Sequence, residues 1–202
     1  MILAIRLVRN RKPKIVKLGI VSDTHGFFDP RLVEVLEGVE AILHGGDVGS
    51  PAVLDGLRQI AAVYAVQGNV DSPTLGLPLS FTRRLDGVQI EMQHILPAPQ
   101  SQLEEWGRDS APAKAQAARR DIFLQSFNPT TRVVIFGHSH APCLAVIGGR
   151  LFFNPGSAGK RRFSLPRCCG LLEISSRRVR ATIKPLERYD GELPVGVQLD
   201  PE

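Results

Sequence analysis

Up to Asp71 the hydrophobic pattern switches between two periods. Ile15 to Val21 alternates and then runs apolar, as a buried strand does. Pro30 to Val39 carries Leu32, Val33, Val35, Leu36 and Val39 at helical spacing, with Asp29 and Pro30 as start signals. Ala41 to Leu43 predicts a second short strand. Next comes a helix capped by Ser50, with Pro51 in its first turn and Val53, Leu54, Leu57 and Ile60 inward. Ala62 to Val66 predicts a third strand. Strand–helix–strand–helix–strand is the order of a parallel sheet with crossover helices. Each strand ends in a polar cluster: Ser22-Asp23-Thr24-His25-Gly26, His44-Gly45-Gly46-Asp47, then Gln67-Gly68-Asn69-Val70-Asp71. Open α/β sheets bind ligands at these strand ends.

After Asp71 the period changes. Ser80 to Leu85 and Val88 to His94 flank Asp86-Gly87, a strong hairpin signal. Ile95 to Ala113 holds three prolines and predicts a loop with one helical turn around Leu103 to Trp106. Lys114 to Phe127 predicts a helix with Ala117, Ile122, Phe123 and Phe127 inward. Arg132 to Phe136 is a β-branched and aromatic run, a buried strand that delivers Gly137-His138-Ser139-His140. Leu144 to Ile147 and Leu151 to Phe153 flank Gly148-Gly149, a second hairpin, which delivers Asn154-Pro155-Gly156-Ser157. Gly170 to Ile174 and Val179 to Ile183 predict a last antiparallel pair, and from Pro185 the chain reads as irregular. Two mixed sheets packed face to face, with helices outside, would bury both kinds of strand.

Composition narrows the class. The chain has 202 residues, 43% of them hydrophobic and 22% charged, which suits one soluble domain. No apolar run approaches the ~18 residues of a membrane span. Cys143, Cys168 and Cys169 have no framework spacing and read as reduced thiols, pointing to a cytoplasmic protein. The net charge of +5 is not spread over the chain: Arg6, Arg9, Arg11, Lys12, Lys14 and Lys17 exceed it alone. The sequence therefore divides into a basic arm, residues 1–14, and a single domain, residues 15–202, that is close to neutral. The arm's apolar residues precede most of its charges and no small-residue cleavage site follows, unlike a signal peptide. It reads as a tail, or as a patch for polyanions such as nucleic acid.

The chemistry lies at the strand ends. The five histidines, His25, His44, His94, His138 and His140, all sit at or just beyond a predicted strand end. Asp23, Asp47 and Asn69 occupy equivalent exits. Imidazole, carboxylate and amide oxygen together suit borderline divalent ions such as Mn²⁺, Fe²⁺, Co²⁺ or Zn²⁺. A structural zinc would favour thiolates, and the cysteines are elsewhere. The donors exceed what one ion needs, which implies two ions with one carboxylate between them.

The ordered set Asp23-x-His25, Gly46-Asp47, Gly68-Asn69, His94 and Gly137-His138-x-His140 resembles the calcineurin-like metallophosphoesterase superfamily. Gly68-Asn69-x-Asp71, Pro142 and Asn154-Pro155-Gly156-Ser157 resemble its small YfcE-like phosphodiesterase branch. The resemblance implies a four-layer α/β/β/α sandwich of two mixed sheets flanked by helices. It also implies that Asp23, His25, Asp47 and His140 hold one ion. Asp47, Asn69, His94 and His138 would hold the other, with Asp47 as the bridge. Mn²⁺ is the favoured metal, with Fe²⁺, Co²⁺, Ni²⁺ and Zn²⁺ as alternatives. A water or hydroxide between the ions would attack a small phosphodiester, so the expected enzyme is a phosphoric diester hydrolase. Related phosphodiesterases are often homo-oligomers.

Asp47, Asn69 and His44 form the candidate catalytic set, with His44 positioning Asp47 or protonating a leaving group. Asn69 and Arg167 are the candidate substrate contacts, Arg167 being chosen from the basic cluster Lys160, Arg161, Arg162 and Arg167. Asp71 is expected to orient a loop, and residues 95–130 to form a lip over the site. Other branches of the superfamily place a proton-donating histidine where this chain has Val70, which favours diesters with good leaving groups. Alternative readings are a phosphomonoesterase or nuclease using the same site, and a non-catalytic scaffold like the retromer subunit of this fold. The intact Asp23-x-His25 weighs against the scaffold.

Overall fold

The computed structural model describes residues 14–108, 113–162 and 164–201. Its strands are β1 (Val16–Val21), β2 (Ala41–His44), β3 (Ala62–Ala65), β4 (Ser80–Leu85), β5 (Val88–Gln93) and β6 (Thr131–Ile135). They continue as β7 (Cys143–Ile147), β8 (Arg150–Asn154), β9 (Cys168–Ser175), β10 (Arg178–Pro185) and β11 (Val197–Leu199). The helices are α1 (Arg31–Val35), α2 (Pro51–Arg58), α3 (Gln100–Arg108) and α4 (Lys114–Leu124). One sheet has six strands in the order β11-β10-β9-β1-β2-β3, and the other has five in the order β4-β5-β6-β8-β7. Both are mixed. The β1-β2-β3 segment is parallel, while β9 runs antiparallel to β1. In the second sheet β5, β6 and β8 are parallel, with hairpin partners at both edges.

Strand alternation builds the layers. Successive side chains point to opposite faces. On β6, Val133 and Ile135 join the core between the sheets, while Val134 faces outward. On β8, Leu151 and Phe153 point in and Phe152 points out. On β1, Leu18 and Ile20 pack between the sheets, and Val21 joins the outer cluster with Leu32, Leu36, Leu54 and Leu57 of the α1 and α2 region. The third cluster seats Leu103 and Trp106 of α3 and Phe123 of α4 on Phe152 and Ala145. Three apolar interfaces separate four layers, helices outside and sheets within, as the sequence predicts.

Some elements differ from expectation. Helix α1 is five residues long and leaves Val33 exposed, where the periodicity predicts a helix to Val39. Helix α3 is a full nine-residue helix, where the prolines suggest a single turn. Only Leu103 and Trp106 are buried on it, so it carries too few apolar residues to show a period. On α4 the buried residue is Phe123, and Ile122 faces solvent at 67% exposure. Strand β11 pairs with β10 inside a segment that reads as irregular. The expected lip divides: residues 95–100 border the site, whereas α3 and α4 form the outer layer of the second sheet.

All three cysteines are free and buried, and burial pushes each thiol up to about 12. Among the described residues no helix is long and apolar enough to cross a membrane. Residues 1–13 of the basic arm lie outside the described residues. Lys14, at its end, pairs with Glu40 on the surface at 2.9 Å.

Candidate metal centre

Parallel strands β1, β2 and β3 of one sheet and β5 and β6 of the other all end on the same edge of the sandwich. Their exit loops carry the polar clusters read from the sequence. The backbone there is unusual. Asp23, His25, Asp47, His138 and His140 all have positive φ, between 48° and 70°. Each such residue costs on the order of 1 kcal/mol, and strain of this kind persists where it aims side chains at a function. Two glycines let the loops close on one another. A Cβ at Gly68 would lie 2.0 Å from Asp47 Oδ1, and one at Gly137 would lie 2.1 Å from Ser22 Oγ.

The geometry brings all seven expected ligands together. His25 Nε2 lies 3.1 Å from His140 Nε2, and His140 Nε2 lies 3.5 Å from Asp23 Oδ1. Nearby, Asn69 Oδ1 lies 3.0 Å from His94 Nε2 and 2.9 Å from His138 Nδ1. The Asp47 carboxylate sits between the two groups. Its Oδ2 is 3.9 Å from His25 Nε2 and 3.3 Å from His94 Nε2. Asp23 also reaches both: donor atoms of Asp23, His25 and His140, and of Asp23, Asp47 and His94, lie within 4.8 Å of one another.

These spacings fit divalent ions. A metal bound at 2.0–2.2 Å holds adjacent donors about 3.0–3.4 Å apart. Protonation also fits. Burial, with Arg162 nearby, lowers His25, and burial with His25 nearby takes His140 down to about 4. Both imidazoles are therefore neutral at pH 7 with lone pairs to give. His94 Nδ1 donates to the Gly45 carbonyl at 2.8 Å, which aims Nε2 at Asp47 and Asn69. Burial opposes a charge on His94, but the hydrogen bond to Asp47 and the Asp23 carboxylate outweigh it and raise its pKa. Burial lifts Asp23 to about 6, because its carboxylate is fully enclosed. Burial also pushes on Asp47, but His94 and the Val70 N–H, which donates at 3.1 Å, hold it down to about 2. Two enclosed carboxylates facing neutral imidazoles are a charge arrangement that a cation completes.

The remaining candidates sit elsewhere. His44 is fully buried, and both ring nitrogens are engaged. The Gly46 N–H donates to Nδ1 at 3.2 Å, so Nε2 carries the proton and donates to Thr24 Oγ1 at 3.0 Å. Thr24 Oγ1 donates in turn to the Val48 carbonyl at 3.0 Å. Burial lowers His44 to about 4. This histidine ties the Asp23–His25 loop to the Asp47 loop from beneath. Both nitrogens being occupied and the ring fully buried, it fits the expected positioning role rather than that of a proton donor to a leaving group.

Arg167, expected to meet substrate, points inward. Its Nε donates to the Gly159 carbonyl at 2.8 Å, its Nη2 pairs with the buried Asp29, and its guanidinium lies 5.1 Å from the Phe27 ring centre. Lys160, Arg161, Arg162 and Arg167 line a small crevice with His140, and Arg162 is the one whose charge helps to lower both His25 and His140.

Other residues build the loops. Asp71 accepts from Gly49 N–H at 2.7 Å and Gly68 N–H at 2.8 Å, clamping two exit loops together. Asn154 Nδ2 donates to the Gly137 carbonyl at 3.0 Å, and Ser157 Oγ donates to the Asp23 carbonyl at 2.8 Å. Thr24 and Gln100 were not singled out in the sequence. Gln100 accepts from Ser139 Oγ at 2.6 Å and donates to the Ala141 carbonyl at 3.2 Å, holding the His138–His140 turn against α3. For Thr24 the signal was a hydroxyl enclosed between two ligands; for Gln100 there was none.

Comparison with known proteins places this geometry. Residues 16–177 match the calcineurin-like phosphoesterase superfamily domain. A Methanocaldococcus jannaschii protein named as a probable metallophosphoesterase is 30% identical over 178 residues, covering 84% of this chain and 81% of its own. A single-substitution variant of Vps29 from Entamoeba histolytica has a similar structure, with TM-score 0.66 and 20% identity over 92% of this chain and 100% of its own. A Streptococcus pneumoniae protein described as a predicted phosphoesterase gives TM-score 0.59 and 22% identity, over 92% and 97% of the two chains.

Proposed function

The chain belongs to the calcineurin-like phosphoesterase superfamily, and from that premise we propose that it is a dinuclear metal-dependent phosphodiesterase. A metal-dependent phosphoesterase follows from the family and the ligand cluster. One observation supports the dinuclear form. Asp47 Oδ2 stands 3.9 Å from His25 Nε2 and 3.3 Å from His94 Nε2, and those histidines belong to different donor groups. In this reading Asp23, His25, Asp47 and His140 hold one ion, and Asp47, Asn69, His94 and His138 the other.

Two divalent ions held there supply Lewis acidity, acidifying a water nucleophile and offsetting charge on the phosphoryl oxygens. Manganese is our choice among the borderline ions that this mixed nitrogen and oxygen donor set admits, beside Fe²⁺, Co²⁺, Ni²⁺ and Zn²⁺. The protein's own part is to hold the donors. The Gly45 carbonyl fixes the His94 tautomer, the Val70 N–H orients Asp47, and the His138 N–H donates to both Asp23 oxygens at 3.2 Å. Val70 has no proton to give and His44 is enclosed, so neither serves a leaving group as general acid. Leaving groups that depart as stable anions are favoured, and a small phosphodiester is the fitting substrate.

The test compares p-nitrophenyl and phenyl diesters on the manganese-loaded protein. The aryl oxide must leave unprotonated, so the rate falls at least about tenfold from p-nitrophenolate to phenolate. Equal rates, or faster turnover of p-nitrophenyl phosphate than of its diesters, would overturn the diesterase reading. The scaffold alternative draws on likeness to Vps29, which concerns the fold alone.

A further inference from the structure

The two ends of the metal centre differ in character. On the His94–His138 side, the wall is apolar. A cleft of about 410 Å³ there is lined by Ile95, Leu96, Pro97, Pro99 and Phe136 together with His138. A second of about 290 Å³ shares Ile95 and adds Leu79 beside Asn69 and His94. Leu79 is 76% exposed, Val70 57% and Ile95 48%. Three large apolar side chains left in water around one ligand group are what a binding wall looks like.

On the His25–His140 side, the wall is cationic. Lys160, Arg161 and Arg162 are consecutive and exposed. Arg161 stands 3.9 Å from Glu187. Arg162 shares a crevice with His140, Lys160, Arg161 and Arg167; Arg161 and Arg167 have carboxylate partners there, and among the described residues none pairs with Arg162. A guanidinium beside imidazoles that hold a divalent cation is repelled unless an anion lies between them. In the phosphodiesterase reading the phosphoryl group being cleaved faces the metal ligands, which leaves this cation for a second anion.

Building on the phosphodiesterase reading, we propose that the substrate is an asymmetric phosphodiester. One arm carries a further anionic group, a phosphate or carboxylate, held by Arg162 and Lys160. The other arm is apolar and lies against Ile95 and Leu79.

A matched pair of substrates tests the anionic arm: thymidine 5′-(p-nitrophenyl phosphate) with and without a 3′-phosphate, both releasing p-nitrophenolate. The expected preference in kcat/KM for the 3′-phosphorylated compound is roughly tenfold or more. Arg162→Ala reduces that preference to near unity, and Arg162→Lys restores part of it. For the apolar arm, bis-p-nitrophenyl phosphate is compared with methyl p-nitrophenyl phosphate, and Ile95→Ser with Leu79→Ser lowers the ratio about fivefold. Preferences that these variants do not move would overturn this proposal while leaving the phosphodiesterase reading intact. Failure of the metal-loaded wild type to hydrolyse any of the four compounds would instead overturn that reading.

Discussion

His25 and His140, 115 residues apart in the chain, bring their Nε2 atoms to 3.1 Å. The first leaves β1 and the second leaves β6, so each sheet supplies one of them. Both are kept neutral by burial, and His140 falls to about 4. The contact joins the two sheets, one neutral ring donating to the other as their tautomers decide. His25→Ala and His140→Ala are each expected to lower hydrolysis of bis-p-nitrophenyl phosphate by about 10²–10³-fold, with extra metal restoring part of the loss. Calorimetric titration with Mn²⁺ checks this, as one strong site should be lost in each variant.

Asp23 links function to stability. Burial raises it from 3.8 to about 6, so the folded metal-free protein keeps a proton there that the unfolded chain has already released. Stability from this group is therefore present below about pH 4 and is lost as pH rises to about 6. Asp23→Asn should stabilise the metal-free protein at pH 7 by on the order of 2–3 kcal/mol, with the gain vanishing below pH 4. The same change removes the stabilisation that Mn²⁺ gives the wild type. Urea unfolding with and without metal measures both effects.

His44 works in the opposite direction. Its pKa is lowered from 6.5 to about 4 by burial, so the stability it contributes is present above pH 6.5 and is lost as pH falls toward 4. His44→Gln should flatten the loss of stability across that window by about one proton. Enclosed beneath the loop, His44 does not set the basic limb of the rate profile. That limb should stay in place in the metal-saturated variant; a shift would return His44 to the role of leaving-group acid.

Arg167 serves the fold. It pairs with Asp29, which is 1% exposed, and stands 3.7 Å from Glu187. Asp29 keeps Arg31 as a second partner at 2.9 Å, so Arg167→Ala should cost only about 1–2 kcal/mol of unfolding free energy. KM for bis-p-nitrophenyl phosphate should stay within about twofold, because the guanidinium is engaged by the Gly159 carbonyl, Asp29 and Glu187. A large KM change at unchanged stability would reverse this assignment.

Much of the architecture was legible because strand alternation and hairpin dipeptides are local signals. Asp86-Gly87 and Gly148-Gly149 lie in the turns between the strands they were read to join. The ligand cluster was legible for another reason: polar groups followed apolar runs, and the topology sends every such run to one edge. What escaped depended on distant partners. Arg167 and Arg162 are the same residue type five positions apart, and partners such as Asp29, 138 residues from Arg167, draw one of them inward. His44 reads as a residue that positions Asp47 or protonates a leaving group until Thr24 and Gly46 are found on its two nitrogens. Helix α3 escaped because its buried face is two residues wide.

We propose that two ions, joined through Asp47, drive diester hydrolysis. Titrating Mn²⁺ into the metal-free protein while following bis-p-nitrophenyl phosphate turnover counts the ions that activity needs. Activity should appear with metal and level off at two equivalents per chain, and Asp47→Asn should give none at any addition. A plateau at one equivalent, activity without added metal, or an active Asp47→Asn variant would contradict the account.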